Sequence, residues 1–259
     1  MTEVSVGPMR RKCALAVVVL GLVLQAGSLA ASAYKVTPVR VTFNGPSSTL
    51  LTLKNESDQP LRFQISSYVW AQDPKGSMQL TPTDDITFFP ALLSLNPGEE
   101  RKVRVATQVT AAGTEKTYRI FFEELPPLEK SEASGAQVRI LTKMGIPIFV
   151  APEKGTADAS IENVQMQKGT LAFEVRNSGN VHFALDGVKL RGLGSNGESL
   201  FDRQVEGWYV LAGSVRSYSV EIPADSCSKL KKIVIEADTD IPNKATITKE
   251  LEITPALCK

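Results

Sequence analysis

Residues 61–70 read Leu61-Arg62-Phe63-Gln64-Ile65-Ser66-Ser67-Tyr68-Val69-Trp70. Leu61, Phe63 and Ile65 share one face of an extended chain, and Arg62 and Gln64 share the other. Side chains alternate across a strand, so period-two apolarity predicts a half-buried β-strand. The same alternation recurs in Arg101–Val105, and Lys116–Glu124 (KTYRIFFEE) and Val138–Val150 are further runs rich in β-branched and aromatic residues. Alternation returns in Leu171–Val175, Val188–Leu190, Tyr218–Ile222 and Ile233–Ile235. Turn-forming residues separate these runs: Asn44-Gly45-Pro46, Asp73-Pro74-Lys75-Gly76, Asn96-Pro97-Gly98 and Asn177-Ser178-Gly179-Asn180. No run carries a convincing helical period. Short strands at this spacing predict an all-β chain built from sandwiches.

The first 33 residues have a different composition. Arg10, Arg11 and Lys12 precede an apolar run from Cys13 to about Leu24, and small residues end in Ala31-Ser32-Ala33. This is the three-part pattern of a secretory signal with an A-x-A cleavage site. The run is short for a membrane span, which needs roughly 20 apolar residues. Residues 1–33 are therefore expected to be removed on export. No later stretch is apolar enough to insert in a membrane. The mature chain, starting at Tyr34, has length for two sandwiches of ordinary size. A boundary is expected near Ala151-Pro152-Glu153-Lys154-Gly155, giving domains 34–152 and 153–259.

Composition removes several functional classes. The chain has 29 Lys and Arg against 28 Asp and Glu, so it has no global basic field for nucleic acid. One histidine, His182, and three cysteines leave little for a His/Cys metal site. A Ser-His-Asp or Cys-His constellation would have to use His182, which lies between Val181 and Phe183 without an evident nucleophile. It reads as a partly buried structural imidazole. No enzyme, cofactor or metal is expected. Gly192-Leu193-Gly194-Ser195-Asn196-Gly197 fits G-x-G-x-x-G formally, but nothing helical follows it, so a hairpin loop is the reading. Asn55-Glu56-Ser57 fits a glycosylation acceptor, with a simple turn as the alternative. With Cys13 in the signal, Cys227 and Cys258 remain. In an oxidising compartment they read as one disulfide, free or metal-binding thiols being the alternative.

Several segments together carry a resemblance. Arg40-Val41-Thr42-Phe43-Asn44-Gly45 leads into Leu51-Thr52-Leu53-Lys54-Asn55. Then come Phe88–Val105, with Asn96-Pro97-Gly98-Glu99 inside it, and Tyr118–Pro127 before a long alternating run. In order and spacing after a signal, residues 34–152 resemble the PapD-like periplasmic chaperones of the chaperone–usher pilus pathway. Tyr118-Arg119 and Gly145-Ile146-Pro147-Ile148-Phe149-Val150 look most similar to its archaic branch.

The resemblance implies two immunoglobulin-like β-sandwiches in a boomerang arrangement, located in the periplasm. It implies pilus or fimbrial subunits and an outer-membrane usher as partners, and allows a self-capping homodimer. It implies donor-strand complementation, in which the chaperone lends an edge strand to a subunit that lacks one. Val138, Ile140, Thr142 and Met144 lie on one face and are assigned as the donated face. Leu141, apolar on the other face, fits a strand serving two cores. The family also holds the subunit's terminal carboxylate with an Arg of the first strand and a Lys of the donor strand. Arg40 takes the Arg position. Pro147 stands where the Lys would be, leaving Lys143 and Arg119 as candidates for the second cation. The reading outside this family is a secreted structural or adhesive sandwich protein. It would need a free N-terminal donor extension, whereas Tyr34-Lys35-Val36 enters the first strand at once.

Overall fold

The computed structural model describes residues 33–128 and 140–258. Of the expected signal only Ala33 falls within them, and Val138 falls outside. The described residues contain eighteen strands and two single turns of helix.

Four sheets pack as two sandwiches. In the first, β1 (Tyr34–Thr37), β3 (Ser47–Asn55), β8 (Glu100–Thr107) and β6 (Ile86–Phe89) form one antiparallel sheet in that order. Facing it are β2 (Val41–Phe43), β10 (Lys143–Val150), β9 (Lys116–Leu125), β4 (Leu61–Gln72) and β5 (Met78–Pro82), with β7 (Leu92–Leu95) also on β4. The chain changes sheet between β1 and β2, and β2 runs parallel to β10. Leu51, Leu53, Leu61, Phe63, Ile65, Val103, Val105, Ile120, Phe122, Ile146 and Ile148 fill the space between these sheets. The alternation of residues 61–65 is thus the inner face of β4. Trp70, out of phase with these residues, is buried as well, for a reason given below.

The second sandwich joins β11 (Ala159–Gln167), β12 (Thr170–Asn177) and β16 (Val215–Glu221) to a second sheet. That sheet runs β14 (Ser199–Glu206), β13 (Phe183–Leu193), β17 (Lys232–Thr239) and β18 (Thr246–Glu252), with β15 (Tyr209–Val210) beside β13. Leu171, Phe173, Val175, Val188, Leu190, Ile233 and Ile235 form its core. Helix α1 (Ala224–Cys227) and a 3-10 turn (Pro255–Cys258) close one end, linked by a Cys227–Cys258 disulfide with Sγ–Sγ 2.06 Å.

The turn chemistry takes its expected geometry. Glu99 N–H donates to Asn96 O at 3.0 Å, and Gly98 sits at φ +75°, the conformation that the residue after Pro97 needs in a type II turn. Gly192–Gly197 spans the end of β13 and its turn into β14, where Gly194 N–H donates to Glu198 O at 2.9 Å. Asn55 is buried, its amide donating to Gln59 O and Leu95 O, so the acceptor motif is a structural turn.

Candidate functional site

Strand β10 is covered unequally along its two edges. On one side it pairs with β9 throughout, from Lys143↔Glu123 to Val150↔Lys116. On the other, β2 pairs only with Ile148–Val150. Residues Lys143–Pro147 therefore present an edge with no strand neighbour among the described residues. An open row of N–H and C=O groups is a template for another chain. Just before it, Ile140 is 66% exposed and Leu141 41% exposed.

The four residues assigned to a donated face are placed differently from one another. Val138 lies outside the described residues. Ile140 projects into solvent. Thr142 is tied to β9: its carbonyl accepts Glu124 N–H at 2.9 Å, and its hydroxyl donates to Glu124 Oε2 at 3.2 Å. Met144 packs against the first sandwich's own core, on the face that continues as Ile146, Ile148 and Val150. The regular strand begins at Lys143 and not at Val138. Leu141 joins no core, but β10 does serve two: Phe149 on the opposite face is buried against Trp70 and Leu211, with Tyr209 beside them. The second sandwich covers that end of the outer face, which is why Trp70 is buried out of phase with Phe63 and Ile65.

The three candidate cations stand in different surroundings. Lys143 Nζ lies 2.7 Å from Glu123 Oε2 in the neighbouring strand and 5.0 Å from the Phe121 ring centroid. Arg40 precedes β2 by one residue. Extending the β2–β10 register places it beside Pro147, exposed, with Nη1 3.9 Å from Asp240 Oδ2. Arg119, on β9, is directly opposite Pro147. Arg40 and Arg119 thus flank the position where the resemblance calls for a Lys.

Arg119 is only 6% exposed. Its Nη1 donates to Gly145 O at 3.3 Å, and its guanidinium carbon lies 4.3 Å from the Trp70 ring centroid and 5.1 Å from that of Trp208. Its Nε has no hydrogen-bond partner, nor does Trp70 Nε1. No carboxylate pairs with it among the described residues. Burial pulls its pKa below the ordinary arginine value, with Tyr209 acting in the opposite direction. A buried cation with a spare donor can receive a carboxylate through charge-assisted hydrogen bonds.

Gly145 carries a role that the alternation alone passes over. A Cβ there would stand 2.6 Å from Phe121 Cε1 and 3.3 Å from Arg119 Nη1. Glycine lets the Phe121 ring and the guanidinium lie against the strand; a glycine inside a strand pattern was the available signal.

Residues 33–156 match the model of a family described as pili and flagellar-assembly chaperone, PapD N-terminal domain. The chain belongs to the PapD-like assembly-chaperone family. This is a family of chaperones and not of enzymes. No curated protein sequence gives a significant match. Among solved structures, the chain is similar to one in the CsuC–CsuE chaperone–tip adhesion subunit pre-assembly complex from the archaic chaperone-usher Csu pili of Acinetobacter baumannii. The two share 18% identity with TM-score 0.56, covering 85% of this chain and 98% of the other. It is also similar to a chain in the Salmonella enterica SafA pilin–SafB chaperone complex (15% identity, TM-score 0.53, 87% and 99% covered). The E. coli chaperone DraB gives 17% identity and TM-score 0.51, with 86% and 100% covered. At these identities the shared property is the fold, and the PapD-like two-sandwich architecture extends over both halves of this chain.

Proposed function

We propose that this PapD-like protein is a periplasmic chaperone of the archaic type, with domains 34–152 and 153–259. It binds pilus or fimbrial subunits by donor-strand complementation and passes them to an outer-membrane usher. The observation that carries the reading is the open edge of β10 at Lys143–Pro147, preceded by exposed Ile140 and Leu141. A subunit strand laid along this edge would satisfy its backbone groups, and Ile140 would enter the subunit's core. Burying one such side chain contributes roughly 1.5–3 kcal/mol. The same free edge allows a homodimer that caps itself when no subunit is present.

In this reading Arg119 and Arg40 hold the subunit's terminal carboxylate on either side of Pro147. Arg119 is the stronger contributor because it is buried and pairs with no carboxylate among the described residues, whereas Lys143 is already paired with Glu123. Co-expression with a subunit from the same gene cluster tests the assignment. The wild-type protein is expected to co-purify with it one to one, and Ile140→Asp to abolish the complex while the free chaperone stays folded. Undiminished complex formation by I140D would sink the donor-edge assignment.

A further inference from the structure

We propose that His182 and Glu115 form a proton-responsive clamp between the two sandwiches, seated at the root of the free-edged strand. Glu115, just before β9, has a side chain only 3% exposed, and His182, just before β13, one 13% exposed. Glu115 Oε2 accepts the backbone N–H of His182 at 3.0 Å and lies 2.7 Å from its Nδ1. An ionised carboxylate can only accept, so this geometry places a proton on Nδ1. The imidazole ring stacks on Phe149 of β10, with centroids 3.5 Å apart and planes within 10°.

The other charged and titratable groups around the pair are committed elsewhere. Tyr209, on β15, presents its ring 5.5 Å from the imidazole. Arg119, on β9, lies over Trp70 and Trp208. Asp240 receives the N–H of Ala184, two residues beyond His182, and faces Arg40. Lys116, beside Glu115 in sequence, is exposed to solvent. No Lys or Arg among the described residues pairs with Glu115. The remaining polar links between the sandwiches are insensitive to pH near neutrality. Gln72 bonds the backbone of Tyr209 and Leu211, Pro74 O accepts Ser217 N–H, and Asn180 bonds Gly113 O and Glu115 N–H. Histidine is the side-chain type whose ordinary range lies between about pH 5 and 8, and His182 is the one histidine in the sequence.

The sign follows from the charges. With imidazolium against carboxylate, the buried pair is neutral overall and the interface is closed. As pH rises through the imidazole's range the cation is lost, and the Glu115 charge is left buried without a counter-charge, which opposes closure. The clamp is therefore tightest on the mildly acidic side and loosens as pH rises. Because His182 rests on Phe149, loosening also frees the end of β10 that anchors its open edge.

Two properties of the chain make the test direct. His182 is its one histidine, and its two tryptophans, Trp70 and Trp208, lie 6.3 Å apart at the interface. On the free full-length mature protein, without any subunit, the imidazole NMR shifts and the tryptophan emission are followed from pH 5 to 8.5. The emission is expected to shift red with rising pH at the same midpoint as the imidazole titration, with unchanged far-UV circular dichroism. His182→Gln and Glu115→Gln are each expected to flatten the emission curve. Constant emission in the wild-type protein, midpoints that differ, or a titration that survives in H182Q overturns the clamp. The NMR comparison needs no variant, so a substitution that fails to fold does not remove the test. No subunit is used, so failure here is distinct from failure of the chaperone reading.

Discussion

Replacing Arg119 with methionine should stabilise the free protein and disable it. In the free state Arg119 is 6% exposed, its Nε lacks a partner, and among the described residues no carboxylate pairs with it. Leaving a buried donor unsatisfied costs about 1–3 kcal/mol, more when it is charged. The stacked position over Trp70 and Trp208 offsets roughly 0.5–2 kcal/mol of that. Methionine keeps a flexible apolar stem in the same space and carries no charge. The balance is a gain of about 1 kcal/mol, equivalent to a rise of about 2–4 °C in Tm for a chain of this size. Subunit binding moves the other way. Truncating one partner of a buried charge pair costs about 2–5 kcal/mol, so the subunit's Kd should rise about 30-fold or more. Calorimetry on the free protein and titration with a purified subunit measure the two quantities. A fall in Tm of several degrees would mean that the guanidinium holds the sandwiches together. A more stable variant with wild-type affinity would remove Arg119 from the carboxylate site.

Gly145→Ala should destabilise the first sandwich by about 1–3 kcal/mol in urea unfolding, because its Cβ displaces the Phe121 ring from β10. Reducing the Cys227–Cys258 bond, which spans 31 residues, should cost about 3–4 kcal/mol. Hydrogen exchange should place that loss in the second sandwich and leave β4, β9 and β10 protected. Burial raises the pKa of Tyr34, Tyr118 and Tyr218, so the stability they contribute is present below about pH 10 and is lost as pH rises through their folded values. Absorbance at the phenolate band should rise together with unfolding, well after free tyrosine has titrated. On the acid side the order reverses. Asp158, Glu162 and Asp238 are held low, chiefly by hydrogen bonds from Lys244, Arg176 and Lys189 respectively. Their contribution is present above about pH 4 and declines as pH falls through their folded values.

Alternation carried the strands well, because a sandwich strand has one wet and one dry face and period two reports which residues are dry. It could not report whose core makes a face dry. Period two puts Val138, Ile140, Thr142 and Met144 on one face without telling which core they enter. Met144 is partly buried against the chain's own core, whereas Ile140 is exposed. The burial of Arg119 and Trp70 was hidden for the same reason. Both lie on the outer face of a sheet, and the second sandwich that covers them is distant in sequence. His182 was legible as a structural imidazole, but Glu115 stands 67 positions away and no local pattern joins them. Short-range turn chemistry was legible outright, since Pro97 and Gly98 fix their own backbone.

The brevity of β2 turns β10 into a ruler. Because β2 occupies the edge at Ile148–Val150, a foreign strand growing along β10 meets an end stop after Pro147. The open edge from Lys143 to Pro147 is five residues, or roughly 16 Å at strand spacing. Slippage toward the second sandwich is blocked by the chain's own backbone and not by any side chain. Register would therefore be set mechanically before a charge is recognised, and lengthening β2 by two pairs should shorten the open edge by the same two residues.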